Sequence, residues 1–343
     1  MRALVFNGPW EMAVEDRPEP QLGDDDTLLE IIATGICGSD LHGYTGETGR
    51  RHPGQVMGHE TVGRVLEDRA GIHTVGTVVT VNPVLGCGHC PACTAGASQR
   101  CPQRRVIGVQ PDISAAFAER MVAPSRNVLP LPDGTPPDVG SLVEPLAVGY
   151  HAVQRAALSP DDAVFVLGGG PIGQAAALAA RRLGSSRVVV AELDAARRDL
   201  VTRLGFSTVD PAKMSASEIT AALGGPAAVV VDAVGTSRTL QTAFDTSVPG
   251  ARIVLVGMGA PRVEIAAYAV STEEREVFGS FAYDDAAFRD TVHWAAANAP
   301  DLEPLIERRV ELDEAPETFR ALAAGELTAG KVLVQPQRSG RQA

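Results

Sequence analysis

The chain has 343 residues, 45 % of them apolar, which suffices for a large buried core and about two domains. A formal charge of −12 argues against nucleic acid or an anionic membrane surface as partner, because both reward clustered Lys and Arg. Lys213 and Lys331 are the only lysines, so Schiff-base chemistry has few candidates.

The segment Met1-Arg2-Ala3-Leu4-Val5-Phe6-Asn7-Gly8-Pro9 is interrupted by Gly and Pro before a signal-peptide core could form, and no apolar run nears the ~18 residues of a membrane span. A cytoplasmic, reducing setting is expected. Runs such as 28–33, 61–66 and 77–81, punctuated by Gly and Pro, predict a β-rich domain from Met1 to about Val148.

Within that stretch lie five cysteines in a four-to-one division. Cys87, Cys90, Cys93 and Cys101 share one segment, and Cys37 stands apart beside Gly38-Ser39-Asp40-Leu41-His42. Zinc held by four thiolates is coordinatively full and braces a fold, whereas one cysteine with His and carboxylate leaves a position open for substrate. The cluster therefore reads as a structural zinc site and Cys37 as catalytic. Disulfides are the competing reading, which intervals of three residues disfavour.

After about residue 149, the runs 163–167, 187–191, 228–231 and 252–256 are continuously apolar and alternate with Ala-rich helical stretches, the pattern of a parallel doubly wound sheet. The first run leads into Gly168-Gly169-Gly170-Pro171-Ile172-Gly173, which satisfies G-x-G-x-x-G at the start of a helix. Gly168 permits the tight turn, Gly170 lets backbone approach a pyrophosphate, and Gly173 lets helix and strand pack closely. Glu192, nineteen residues beyond Gly173, is placed to accept from ribose hydroxyls, which favours NAD; Arg197 keeps NADP open. Helical patterns near 284–297 and 315–323 and a strand from Lys331 to Val334 close the chain. The polar tail from Gln335 to Ala343 is expected to fray.

The segments Gly35-Ile36-Cys37-Gly38-Ser39-Asp40-Leu41-His42, Met57-Gly58-His59-Glu60, the cysteine stretch, Val143-Glu144-Pro145-Leu146-Ala147-Val148-Gly149 and the glycine loop occur in one order. Through them the chain resembles the zinc-dependent medium-chain dehydrogenase/reductases, near the sorbitol, threonine and butanediol dehydrogenases, from Met1 to about Pro336. The resemblance implies an α/β protein: a Rossmann doubly wound parallel sheet domain that binds NAD (149–285), and a β-rich GroES-like catalytic domain (1–148) with a structural zinc lobe (87–101). A C-terminal segment (286–343) returns to the catalytic domain.

It also implies two zinc ions. Cys37 and His59 would ligate the catalytic one together with Glu60 and Glu144, Glu144 directly or through water and Glu60 ranked slightly ahead of it as a direct ligand in the resting state. Asp40 would orient His59, and Ser39 and His42 would relay the substrate's proton to solvent. Backbone around Val256 and Phe278 would hold the nicotinamide carboxamide, and 231–235 would lie near the adenosine half. The implied reaction is hydride transfer between a secondary alcohol, diol or polyol and NAD across a cleft between domains, in a homodimer or homotetramer.

Phe281-Ala282-Tyr283 stands where sorbitol dehydrogenases carry an arginine for polyol hydroxyls, which shifts the expectation toward shorter secondary alcohols or vicinal diols. Threonine-type or NADP-dependent oxidation are the alternatives, although no residue is assigned to a threonine carboxylate. A zinc-free quinone or enoyl reductase and a non-catalytic nucleotide-binding protein both conflict with the full ligand set. Arg50 and Arg51 read first as a solvated pair and second as cations that could reach a substrate or phosphate across the cleft, and Tyr44 and Trp10 as packing or pocket lining.

Overall fold

The computed structural model describes residues 1–326 and 328–337. It divides into two compact units, Met1–Glu144 with Asp284–Ala343, and Pro145–Tyr283. The first unit begins with β1 (Arg2–Gly8), β2 (Glu11–Asp16), β3 (Asp26–Gly35), α1 (Gly38–Tyr44), β4 (Gln55–Val56), β5 (Glu60–Asp68) and β6 (Val78–Val81). Then come β7 (Val84–Leu85), α2 (Pro91–Thr94), β8 (Arg105–Val106), β9 (Arg120–Pro124) and β10 (Val128–Pro130).

Helix α3 (Val143–Arg155) leads into the second unit, which alternates β11 (Ala163–Leu167), α4 (Pro171–Arg182), β12 (Arg187–Ala191), α5 (Ala195–Arg203), β13 (Ser207–Val209) and α6 (Ala216–Ala222). It continues through β14 (Ala227–Asp232), α7 (Ser237–Asp245), β15 (Ser247–Leu255), α8 (Ala267–Ser271) and β16 (Glu276–Gly279). The chain ends in α9 (Asp285–Ala297), α10 (Ala299–Leu302), β17 (Ile306–Glu311), α11 (Ala315–Ala323) and β18 (Lys331–Gln335).

In the second unit all strands pair in parallel in the order β13-β12-β11-β14-β15-β16. The order reverses between β11 and β14, where open α/β sheets take their ligands. Every residue of β11 is buried, as its unbroken apolar run requires. Phe165, Leu167, Val189, Val230 and Ile253 form the core with Leu240 and Phe244 of α7.

The first unit is built on a seven-stranded sheet in the order β10-β6-β5-β3-β18-β17, with β9 also pairing β3. Its strands come from distant parts of the chain, and a two-residue period decides which side chains meet. Gly35, at the end of β3, is opposite Glu60 of β5 on one side and Leu333 of β18 on the other. Lys331 shares its face of β18 with Leu333, so the register brings Lys331 and Glu60 to the same end of the sheet. One core contains Leu29, Ile31, Val65, Val79 and Met121; another joins Phe6, Tyr44, Met57, Phe117 and Phe319.

Of the expected frayed tail, Gln335 ends β18 and Gln337 donates to the carbonyls of Ile31 and Glu119 at 3.3 and 2.9 Å; residues 338–343 lie outside the described residues. Among the described residues no helix is long and apolar enough to cross a membrane.

Candidate active site

Cys37 is the residue before α1, immediately after β3 delivers the chain to the end of the sheet. Asp40, three residues on, turns back so that its Oδ2 accepts the Cys37 amide at 3.1 Å, which closes the first turn. Its Oδ1 stands 3.6 Å from His59 Nδ1. Glu60 follows at the start of β5, and the ligating atoms of Cys37, His59 and Glu60 all lie within 4.8 Å of one another.

Three groups separated by up to 23 positions in sequence thus converge on one point. His59, Glu60 and Asp40 are buried; His59 Nδ1 and Asp40 Oδ1 face each other just beyond hydrogen-bond distance, and Glu60 Oε2 makes no hydrogen bond among the described residues. A buried polar atom without a partner is costly and marks a site that awaits another group. A thiol, an imidazole and a carboxylate around such an atom suit a borderline-soft ion such as zinc, and with Nδ1 turned to Asp40 the other ring nitrogen is left for the metal.

The charges here are mutually dependent. Burial by itself would raise the Asp40 carboxyl, but His59, the Arg51 guanidinium and the Cys37 amide hold it below its ordinary value. Burial likewise works against protonated His59, and Asp40 and Cys37 overcome it to raise the imidazole well above its usual value.

The remaining partner is Lys331, a residue with no assigned role from sequence. It is buried, its Nζ forms an ion pair with Glu60 Oε1, and it also reaches the Ile36 carbonyl at 3.3 Å. Burial opposes its charge, and Glu60, Cys37 and Glu144 more than restore it. Oε1 of Glu60 is therefore tied back while Oε2 stays uncommitted. Gly35 makes this possible, since a Cβ there would collide with Glu60 Oε2. One signal in the sequence pointed to Lys331: a rare lysine opening an apolar strand is a candidate for burial, and a buried lysine needs an anion.

Glu144 is buried at the beginning of α3 and acts on Lys331 through its charge, but it stands outside the group formed by Cys37, His59 and Glu60. Ser39 is half-buried in α1, and His42 is exposed, with Nδ1 at 2.6 Å from Glu47 Oε2. Tyr44 is a packing residue: it is 1 % exposed, donates to the Trp10 carbonyl and stacks edge-on with Trp10 and Phe319. The expected solvated pair of arginines divides, for Arg50 is exposed while Arg51 is half-buried against α1 and Met57.

In the four-cysteine lobe all thiols are free, and the sulfurs of Cys87, Cys90, Cys93 and Cys101 lie within 4.8 Å of one another. Cys87 and Cys93 are 4.0 Å apart, and the Cys87 amide donates to Cys101 Sγ at 3.5 Å. The amides of His89 and Cys90 lower the Cys87 thiol to about 6, whereas, against the Gly88 amide, burial and the neighbouring thiols raise Cys93 to about 11, so the four sulfurs share little negative charge without a cation among them. The arrangement fits a structural zinc.

The glycine loop joins β11 to α4. Gly168 has φ +96°, and a Cβ on Gly173 would strike the Gly168 carbonyl, so both positions require glycine. Gly170 caps α4 without a side-chain hydrogen bond, ahead of Pro171 and Ile172, which leaves the helix's first amides for an anion. Glu192 Oε2 accepts the Gly169 amide at 2.7 Å, and Oε1 accepts the Asp194 amide at 2.9 Å. Arg197 Nη1 is 4.0 Å from Oε2.

Arg198 was not assigned from sequence, and Asp232 was covered only as part of the 231–235 segment. Arg198 donates to the carbonyls of Glu192 and Leu193 at 2.8 and 2.6 Å. Asp232, its carboxyl pushed up by burial, accepts the amides of Val234 and Gly235 at 2.9 Å each. The Val256 amide donates to the Asp232 carbonyl, and Phe278 sits on β16 opposite Val254.

Residues 23–133 match the family model of the alcohol dehydrogenase GroES-like domain, and residues 171–297 match that of the zinc-binding dehydrogenase. L-galactonate-5-dehydrogenase of Escherichia coli (strain K12) is 36 % identical over 75 % of this chain and 76 % of its own. D-xylulose reductase A of Aspergillus oryzae is 30 % identical over 94 % of each chain. A Sinorhizobium meliloti 1021 protein solved bound to NADP superposes with a TM-score of 0.89 at 31 % identity, over 98 % of this chain and 99 % of that one. The chain belongs to the zinc-binding alcohol dehydrogenase family and is an oxidoreductase that acts on CH–OH donors.

Proposed function

We propose that this dehydrogenase interconverts a polyhydroxy secondary alcohol and its ketone with NAD, in the cytoplasm and as a homo-oligomer, using Cys37, His59 and Glu60 to hold a catalytic zinc. The observation that carries the reading is the convergence of those three ligating atoms within 4.8 Å, with Glu60 Oε2 buried and without a hydrogen bond among the described residues. The relatives named for L-galactonate and D-xylulose support a polyhydroxy substrate. When bound, zinc supplies the Lewis acidity that lowers the pKa of the substrate hydroxyl, and NAD accepts the hydride.

The chain's own residues do the rest. Asp40 fixes the orientation and tautomer of His59. Lys331 restrains one oxygen of Glu60 and leaves the other to the metal, while Glu144 adds negative charge from α3. Ser39 takes the hydroxyl proton, and exposed His42 delivers it to solvent. Residues 1–148 with 286–343 serve as the catalytic domain and 149–285 as the nucleotide domain, where Gly168 to Gly173 receive the pyrophosphate, Glu192 the ribose hydroxyls, and backbone at Val256 and Phe278 the carboxamide. Glu192 with its two amide donors is preorganised for a 2′-hydroxyl and repels a 2′-phosphate, which favours NAD over NADP.

The test is NADH formation from a panel of secondary alcohols, alditols and threonine. Chelation is expected to abolish turnover and added zinc to restore it; activity indifferent to both would sink the reading.

A further inference from the structure

Arg51 acts on the proposed reaction only through its charge on Asp40, and its own donors are not matched to an anion. Its side chain lies over Gly43 of α1, where a Cβ would come within 2.8 Å of Arg51 Cγ and 2.9 Å of Nε. The missing side chain at Gly43 is thus the space the arginine occupies. Nε donates to Met57 Sδ at 3.1 Å, and Nη2 reaches the Ser39 carbonyl at 3.4 Å.

Both are poor acceptors for a guanidinium: a thioether is weak, and 3.4 Å is long for N–H···O. Among the described residues no carboxylate forms an ion pair with Arg51. Burial weakens its charged form, and the charges of Asp40 and Cys37 favour it, which locates the guanidinium in the field of the proposed catalytic group. A half-buried arginine is normally matched to an anion, and its planar fork suits a carboxylate or phosphate bidentately. This one adjoins the proposed proton acceptor, Ser39, and has donors to spare.

We propose that Arg51 binds an oxyanion on the substrate, a carboxylate or a phosphate ester, so that the preferred substrates are acidic polyhydroxy compounds rather than neutral alditols. The inference rests on the dehydrogenase reading of Cys37, His59 and Ser39, and it makes Arg51 a specificity residue within it. The reaction at the carbinol carbon is unchanged: the C–H bond gives hydride to NAD and the O–H bond gives its proton to Ser39.

The experiment uses the zinc-loaded enzyme with pentitols and hexitols, the aldonates of the same carbon skeletons, and the alditol 1-phosphates. The wild-type chain is expected to show its highest kcat/KM on one of the two acidic classes, and which class wins distinguishes carboxylate from phosphate. Arg51→Met is expected to lower kcat/KM for that class by about 10- to 100-fold through KM. The neutral alditols should fall at least ten times less, Arg51→Lys should recover part of the loss, and exposed Arg50→Met should leave the preference intact.

Turnover of neutral alditols alone would reject the inference and leave the functional reading standing, whereas turnover of none would reject both. An equal loss on all three classes, or a loss expressed as a raised KM for NAD, would also overturn it, by making Arg51 a structural or cofactor contact.

Discussion

The two candidate metal centres of the first unit are built in opposite ways. The lobe at 87–101 takes four identical ligands from one short segment, three of them half-buried. The other centre takes a thiol from the residue before α1 and an imidazole and a carboxylate from the adjoining His59 and Glu60 at the start of β5, surrounds them with Asp40 and Lys331, and leaves Glu60 Oε2 without a hydrogen bond. A segment that supplies all its own ligands can only brace itself, whereas a centre assembled from β3, α1, β5 and β18 is held by the whole sheet and can keep a ligand position open.

The sharpest way to break this contrast is to remove one sulfur from each. Cys37→Ser is expected to lower kcat by on the order of 10³-fold or more, since several kcal/mol of charge stabilisation depend on the metal, with the melting temperature little changed. Cys93→Ser is expected to act in the other order, lowering the melting temperature by roughly 5–10 °C before activity at 25 °C suffers. Calorimetry and turnover on the same samples decide; two mutants that lose only turnover would erase the distinction.

Next in size is Lys331→Met, which leaves the Glu60 carboxylate buried without its cation. A loss of about 3–5 kcal/mol in denaturant unfolding is expected, with much of it returned in the double variant Lys331→Met/Glu60→Gln. A double variant no more stable than the single one would mean that the pair does not carry the coupling.

The nucleotide loop gives a smaller effect. Glu192→Ala should raise the KM for NAD by about tenfold more than that for NADP, the scale of a hydrogen bond to a charged group. An unchanged ratio would remove Glu192 from cofactor choice.

The smallest effect contrasts two acids on one strand. Glu60 opens β5 with an oxygen uncommitted, and Asp68 closes it fully satisfied, accepting from the hydroxyls of Thr27 and Ser125 and the amides of Ile72 and His73. Despite the opposing effect of burial, these donors hold the Asp68 carboxyl far below its usual range. A depressed folded pKa contributes stability that is present above the unfolded value near 3.9 and is lost as pH falls toward the folded one. Thermal melts should therefore decline below about pH 4, and Asp68→Asn should be less stable at pH 7 with a shallower acid slope; a parallel slope would exclude Asp68.

Much of this was legible in one dimension. The parallel sheet followed from buried apolar runs at 163–167 and 187–191, the dinucleotide turn from Gly168 to Gly173, and the lobe from cysteine spacing. Each is a local pattern in which neighbours in sequence are neighbours in space. Lys331 was visible only as a scarce residue, because its meaning depends on strand register 271 positions away from Glu60. Arg51 read first as half of a solvated pair, with reach to a substrate or phosphate as the lesser reading, because nothing in the sequence around it says that Gly43 leaves room for its side chain on α1.

By itself the sequence determined the α/β class and the two cysteine groups, since these rest on periodicity and on residue chemistry, while the partners of Cys37 came with the family resemblance. The tertiary structure brought Glu60, already ranked ahead of Glu144 by resemblance, within 4.8 Å of Cys37 and His59, and it alone decided which lysine restrains that carboxylate and how far Arg51 is withdrawn from water. Those outcomes depend on the pairing of β3 with β5 and β18, and on desolvation that only packing creates.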